Sequence, residues 1–79
     1  MTRRTPEEAA RHIGDQGEEI HRVARAHGYD GDTLAESLVE LAQNPAAHDP
    51  MHLARHVTRA DEQNPQVQAL AAWITKIVQ

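Results

Sequence analysis

Three proline pairs, each with a good helix-capping residue before the proline, constrain the fold more than any other feature of the sequence. The pairs are Thr5-Pro6, Asp49-Pro50 and Asn64-Pro65. Proline suits the first position of a helix because its missing N–H has no partner there, and the preceding side chain can accept a hydrogen bond from the first turn. Each pair therefore predicts the start of a helix.

Apolar residues recur at helical spacing after each of these starts and after Thr33, and no segment alternates apolar and polar residues over the length of a strand. Thr5 with Glu8 and Thr33 with Glu36 have the spacing of capping boxes. The predicted helices lie at residues 6–26, 33–43, 50–61 and 65–78. Gly28 is the glycine that terminates the first of them. The predicted fold is an all-α bundle of four helices.

The segment GDQG, residues 14–17, is the weak point of the first predicted helix. Each glycine inside a helix costs about 1 kcal/mol relative to alanine. Asp15 with Glu18 could cap a new start, which would split this helix and raise the count to five. The continuous helix is the favoured prediction, with Gly17 allowing another backbone to approach closely.

The apolar faces of the four helices supply the predicted core. Its members are Ala9 or Ala10, Ile13, Ile20, Val23 and Ala24; Leu34, Leu38 and Leu41; Leu53, Val57 and Ala60; and Val67, Leu70, Ala71, Ile74 and Ile77. Burial is also favoured for Trp73, whereas an exposed Trp73 would be a good interface anchor. The apolar stretch ALAAWITKIVQ could instead pair with a second copy in a homodimer.

Size and composition narrow the function classes. The 79 residues predict one domain, 1–79, and the lack of cysteine excludes disulfides and thiolate zinc sites. A core of this size rarely supplies more than roughly 3–5 kcal/mol, so well-formed helices or a partner surface must support it. No apolar run reaches the length of a signal peptide or a membrane span, which predicts a cytoplasmic protein without a membrane partner.

The stretch HDPMHLARHVTR, residues 48–59, combines three histidines with two arginines. On a helix, His52, Arg55, His56 and Arg59 share one polar face, called the basic face below. Two histidines four residues apart can hold zinc, but no HExxH glutamate lies between them and the arginines disfavour a cation, so no metal or other cofactor is predicted. The face could recognise phosphate or carboxylate groups, or it could simply be solvated.

A window without Lys or Arg, residues 26–54, contains the second charged feature, an acidic line of Asp30, Asp32, Glu36 and Glu40. A helix dipole favours acidic residues near the start, so Asp32 and Glu36 could serve only the helix. Alternatively, the acidic line docks a basic partner and steers its approach. A calcium loop that starts at Asp30 is excluded, because its twelfth position is Leu41 and not the required glutamate.

Enzymatic activity and DNA binding have less support. The chain has no cysteine nucleophile and no phosphate loop, and Ser37 has no marked base, so the chain is predicted not to be an enzyme. The connector before the third helix is long for a helix-turn-helix motif, and a formal charge of −4 opposes binding to phosphates. Direct nucleic-acid binding is for these reasons less favoured than protein binding. It is kept as the alternative function, that of a DNA-binding regulator that uses Arg55 and Arg59.

In its size, acidity and lack of motifs, the chain resembles the small phage-borne inhibitor proteins of the anti-CRISPR kind. The resemblance implies an inhibitor that acts by direct binding, without a cofactor. The partner would be a protein with a basic surface, such as the nucleic-acid channel of a CRISPR effector complex, and binding would block target DNA. Asp30, Asp32, Glu36 and Glu40 would be the docking residues. The same features fit an antitoxin-like or regulatory adaptor protein.

Overall fold

The computed structural model describes residues 5–44 and 49–78. Five helices lie in these ranges: α1 (Pro6–Asp15), α2 (Gly17–Ala26), α3 (Gly31–Gln43), α4 (Pro50–Thr58) and α5 (Pro65–Val78). Neither range contains a strand, so the predicted all-α class is confirmed. The first predicted helix is two helices, so the described residues contain five helices, the alternative that the sequence left open at residues 14–17, and not the favoured four. His48 lies outside the described residues.

The break between α1 and α2 is a single residue, Gln16, with φ −97° and ψ 19°. Its N–H is shared between the carbonyls of His12 and Ile13, and α2 starts without a side-chain cap. Asp15 ends α1 and does not cap α2. A Cβ on Gly17 would meet nothing within 4 Å, so the predicted close backbone approach at Gly17 is also wrong. Glycines on both sides of Gln16 weaken the helix enough for it to break there.

The three predicted caps at the proline pairs are confirmed. Each accepts a hydrogen bond from the first turn of its helix: Thr5 Oγ1 from the Glu8 N–H at 3.2 Å, Asp49 Oδ1 from the Met51 N–H at 3.1 Å, and Asn64 Oδ1 from the Gln66 N–H at 2.9 Å. The Thr5 hydroxyl also donates to the Glu8 carboxylate at 3.1 Å. These caps satisfy N–H groups that the helices themselves leave without partners.

The link between α2 and α3 turns sharply at Gly28, which has a φ of 67°. The Tyr29 N–H donates to the Ala24 carbonyl at 2.8 Å, and the Gly28 N–H donates to the Arg25 carbonyl at 3.1 Å. This pair of bonds is a Schellman motif, whose left-handed residue is usually glycine. The predicted helix end at Gly28 is therefore confirmed.

The predicted start of α3 at Thr33 is wrong by two residues. The helix begins at Gly31, and Asp30 is its N-cap. Asp30 Oδ2 accepts a bond from the Thr33 N–H at 2.9 Å, so Thr33 is capped and does not itself cap. Aspartate is at least as good an N-cap as threonine, which explains the earlier start.

The predicted end of α4 at residue 61 is also wrong. The helix stops at Thr58, and Arg59 has left-handed backbone angles of φ 57° and ψ 37°. The predicted burial of Val57 is confirmed, but Leu53 and Ala60 are only partly buried, and Ala54 is buried in their place.

The core lies where α4 packs on α5 and where α1 and α2 pack on α3. The predicted buried positions of the first and last predicted helices are confirmed, except that Val23 is only partly buried. The buried residues there are Ala9, Ile13, Ile20 and Ala24, and Val67, Leu70, Ala71, Ile74 and Ile77. Among the helices at 5–44 and 49–78, none is long and apolar enough to cross a membrane.

Candidate functional site

The first half of the acidic line is bonded within the fold. Asp30 Oδ2 accepts hydrogen bonds from the Thr33 hydroxyl at 2.8 Å and from the Thr33 N–H at 2.9 Å. These two bonds lower the pKa of Asp30, with a further contribution from the nearby His21. Desolvation acts in the opposite direction but does not cancel them. Asp30 is therefore a structural cap in this fold.

Asp32 contacts His21 in the middle of α2. Its Oδ1 atom lies 3.3 Å from His21 Nε2, which makes an ion pair when the imidazole is protonated. Both side chains are well exposed, at 84% for Asp32 and 47% for His21, so the pair contributes little to stability. Gly31, between the two aspartates, is buried, and a Cβ there would collide with the His21 ring.

Glu36 and Glu40, the second half of the acidic line, are exposed one and two turns further along α3. Within the described residues, neither carboxylate has a hydrogen bond or an ion pair. Two like charges four residues apart on a helix repel each other. Among the residues that the structure describes, two of the four predicted docking residues thus have local partners and two have none.

Glu36 and Glu40 border an open apolar groove of about 450 Å³, called the acid-rimmed groove below. Its other lining residues come from α1, the first residue of α2, and α3: Ala10, Ile13, Gly14, Gly17, Ala35 and Val39. Gly14 and Gly17 leave open space, because a Cβ on either would meet nothing within 4 Å. Among the described lining residues, the two glutamates are the only charged ones.

The acidic rim of this groove is predictable from the sequence, but its floor is not. The floor is the apolar lining named above: Ala10, Ile13, Gly14, Gly17, Ala35 and Val39. A detectable signal was the run of small residues at 10, 14 and 17, which share one side of a helix. Val39 gave a weaker signal beside the predicted leucine stripe. Neither signal shows that α1 and α3 pack side by side, and this packing creates the groove.

Helix α4 carries only three of the four residues of the basic face. His52, Arg55, His56 and Arg59 line one open cavity of about 500 Å³, but Arg59 lies beyond the helix at its cap. Arg55 and His56 occupy the last turn, where positive charge suits the helix dipole.

His56 also has a structural contact. Its ring meets the Tyr29 ring edge to face, with the two centroids 5.8 Å apart at an interplanar angle of 82°. This contact joins α4 to the link between α2 and α3. The basic face therefore includes side chains with structural roles, and its lining is mostly polar.

Trp73 is partly buried against the core. It also borders a cavity of about 230 Å³ with His12, Gln16 and Lys76. Trp73 is thus neither fully buried nor a free anchor, and homodimer formation through α5 stays a prediction.

No three histidine, aspartate or glutamate side chains in residues 5–44 and 49–78 come close enough together to hold one metal ion. Comparison with protein-family models, curated proteins and solved structures found no match to this chain. The acid-rimmed groove and the basic face are accordingly interpreted from their own geometry.

Proposed function

We propose that this chain is a cytoplasmic protein–protein interaction module that binds a basic surface of a partner protein at the acid-rimmed groove. Glu36 and Glu40 are the main contact residues, and Asp30 and Asp32 chiefly support the start of α3. The observation that carries this proposal is the pair of exposed glutamates beside an apolar floor, for which residues 5–44 and 49–78 supply no local partner.

The energetics of the free protein support a cationic partner. Glu36 and Glu40 repel each other at their spacing of four residues, and a bound Lys or Arg relieves this repulsion. The formal charge of −4 also favours the approach of a basic protein over that of a nucleic acid. The apolar floor adds the burial of apolar surface, which salt does not screen as it screens the charge contacts.

The proposed mode of action is inhibition. The module covers a basic nucleic-acid-binding surface of its partner, such as the DNA channel of a CRISPR effector complex, and target DNA can no longer enter. No bond is made or broken, so the module requires no catalytic residue or cofactor.

Purified CRISPR effector complexes, each loaded with its guide RNA, test this function. Binding of labelled target DNA is measured by fluorescence anisotropy with and without the module. We expect the wild-type protein to block DNA binding by at least one effector. Glu36→Lys with Glu40→Lys should not block it, because the contact charges are reversed, whereas Arg55→Glu with Arg59→Glu should still block it. Failure of the wild-type protein on every effector would contradict the inhibitor proposal.

A second candidate is a DNA-binding regulator that uses the basic face. Its support is the convergence of His52, Arg55, His56 and Arg59 around one cavity. It predicts that the protein alone shifts duplex DNA in a gel and that Arg55→Glu with Arg59→Glu abolishes the shift. An unshifted duplex at low salt, where phosphate contacts are strongest, would eliminate this candidate.

A further inference from the structure

We infer that the occupant of the acid-rimmed groove is an amphipathic helix of the partner, with a narrow apolar stripe flanked by two basic residues one turn apart. This inference rests on the proposed function, since it specifies which part of a basic partner enters the site. It adds that the fit to the apolar floor, and not charge alone, determines binding.

The dimensions of the groove suit a helix. Ala10 and Gly14 lie about 6 Å apart along α1 at 1.5 Å per residue, which is a little over one helical turn, and Gly17 at the start of α2 extends this wall. Three of the residues on this wall are Ala10, Gly14 and Gly17, and small side chains allow a second backbone to approach closely. The opposite wall carries Ala35 and Val39, which are partly exposed and can contact an apolar stripe.

The charges of the rim set the pattern on the occupant. Glu36 and Glu40 lie one turn apart on α3. A helix that lies alongside α3 presents Lys or Arg at the same spacing when those residues are four positions apart. Long basic side chains can cover apolar surface with their methylene groups while their charged ends reach the glutamates. Helices that dock an apolar face in a groove are a common mode of peptide recognition.

Other occupants fit less well. A nucleic acid would bring phosphates against Glu36 and Glu40. A second copy of this chain offers the basic face, whose lining is mostly polar and supplies no apolar stripe for the floor. A partner helix with both apolar and basic residues matches the floor and the rim together.

A designed peptide pair tests this inference. The first peptide is a labelled amphipathic helix of about 18 residues, or five turns, with leucines on one face and lysines beside them four positions apart. The second has the same composition, but its leucines and lysines are distributed around the whole helix. Binding to the full chain is measured by fluorescence anisotropy. We expect the first peptide to bind at least about tenfold more tightly, because only its leucines can all contact the floor.

Variants of the protein locate the binding site. Gly14→Leu fills the groove from a position where the fold leaves open space, so the protein should still fold and its affinity for the first peptide should fall by about tenfold. Ala69→Leu adds the same side chain at an exposed position of α5 outside the groove, and its affinity should not change. Thermal unfolding of both variants checks that they are folded.

The outcomes separate the inference from the proposed function. Equal binding of both peptides, or no effect of Gly14→Leu, overturns the inference. The same holds if sedimentation shows a wild-type dimer that Glu36→Gln with Glu40→Gln separates, since the groove would then bind a second copy. If neither peptide binds but an effector is still blocked through Glu36 and Glu40, only the inference fails. If neither peptide binds and no effector is blocked, both fail.

Discussion

The two halves of the acidic line on α3 contain the same kind of charge but have different surroundings. Asp30 and Asp32, at the start of the helix, contact Thr33 and His21. Glu36 and Glu40, further along, have no such contacts within the described residues and border the acid-rimmed groove. In the first half, Asp30 caps α3 and Asp32 makes a weak surface contact with His21. We propose that the second half serves binding.

This difference shows why a charged line in a sequence is ambiguous. A carboxylate in the first turn of a helix is stabilised by free N–H groups and by the helix dipole, so its presence needs no partner. A carboxylate in the middle of a helix gains nothing from these groups. Glu36 and Glu40 even repel each other. Their presence beside an apolar floor is the stronger indication of a binding surface.

The largest stability effect is expected for Gly31→Ala, at the first half of the line. The added Cβ would collide with the His21 ring, which must move away from Asp32. We expect a loss of about 1–3 kcal/mol in the free energy of unfolding, measured by urea denaturation. Gly14→Ala is the matched control, because its Cβ enters open space and the helix gains up to about 1 kcal/mol. Equal effects of the two alanines would contradict the tight packing at Gly31.

A smaller effect is expected for Asp30→Ala, which removes the cap of α3. Near neutral pH we expect the melting temperature to fall by about 4–8 °C, as loss of a typical cap does in a domain of this size. The hydrogen bonds from Thr33 lower the pKa of Asp30 below its ordinary value of 3.8. The charged carboxylate therefore contributes stability above the unfolded-state pKa, and this contribution is lost as the pH falls through the folded-state pKa.

The difference in melting temperature between wild type and Asp30→Ala should accordingly shrink in acid. Thermal unfolding followed by circular dichroism near neutral pH and at about pH 3 measures it. Asp30→Asn is the control, since asparagine caps helices about as well without a charge. A difference that grows on acidification would show that Asp30 is not the charged cap described above.

The smallest stability effect is expected for Glu36→Gln with Glu40→Gln. Removing the repulsion between these exposed side chains should leave stability unchanged or raise it by about 0.2–0.5 kcal/mol. Urea denaturation of the double variant measures this directly. A clear loss of stability would show that the glutamates have structural partners and would remove the contrast between the two halves.

Features of the fold that depend on residues close together in the sequence are predicted better than features that depend on packing between helices. Helix α5 was predicted from end to end, because Asn64 and Pro65 define its start and its apolar spacing is regular. The end of α4 was missed because nothing in the local pattern marks Arg59 as left-handed, a conformation that is uncommon outside glycine. Local sequence rules predict helix caps and apolar periodicity well. They predict helix ends poorly where no glycine marks the end.

The candidate site was only half predictable for a similar reason. Glu36 and Glu40 follow from charge and helical spacing alone. The floor of the groove depends on how α1 and α3 pack, and on the break at Gln16, where the sequence leaves both a continuous and a broken helix open. Such long-range packing is not encoded in any single motif of the chain.

One titration tests the central claim most directly: binding of the amphipathic peptide to two variants that each lose two negative charges. Glu36→Gln with Glu40→Gln removes the charges beside the groove, and Asp30→Asn with Asp32→Asn removes the same number at the start of α3. We predict that the glutamine pair weakens binding by about fivefold or more, while the asparagine pair stays within about twofold of wild type. Equal losses in the two variants would show that net charge alone attracts the peptide, and would contradict a binding site at Glu36 and Glu40.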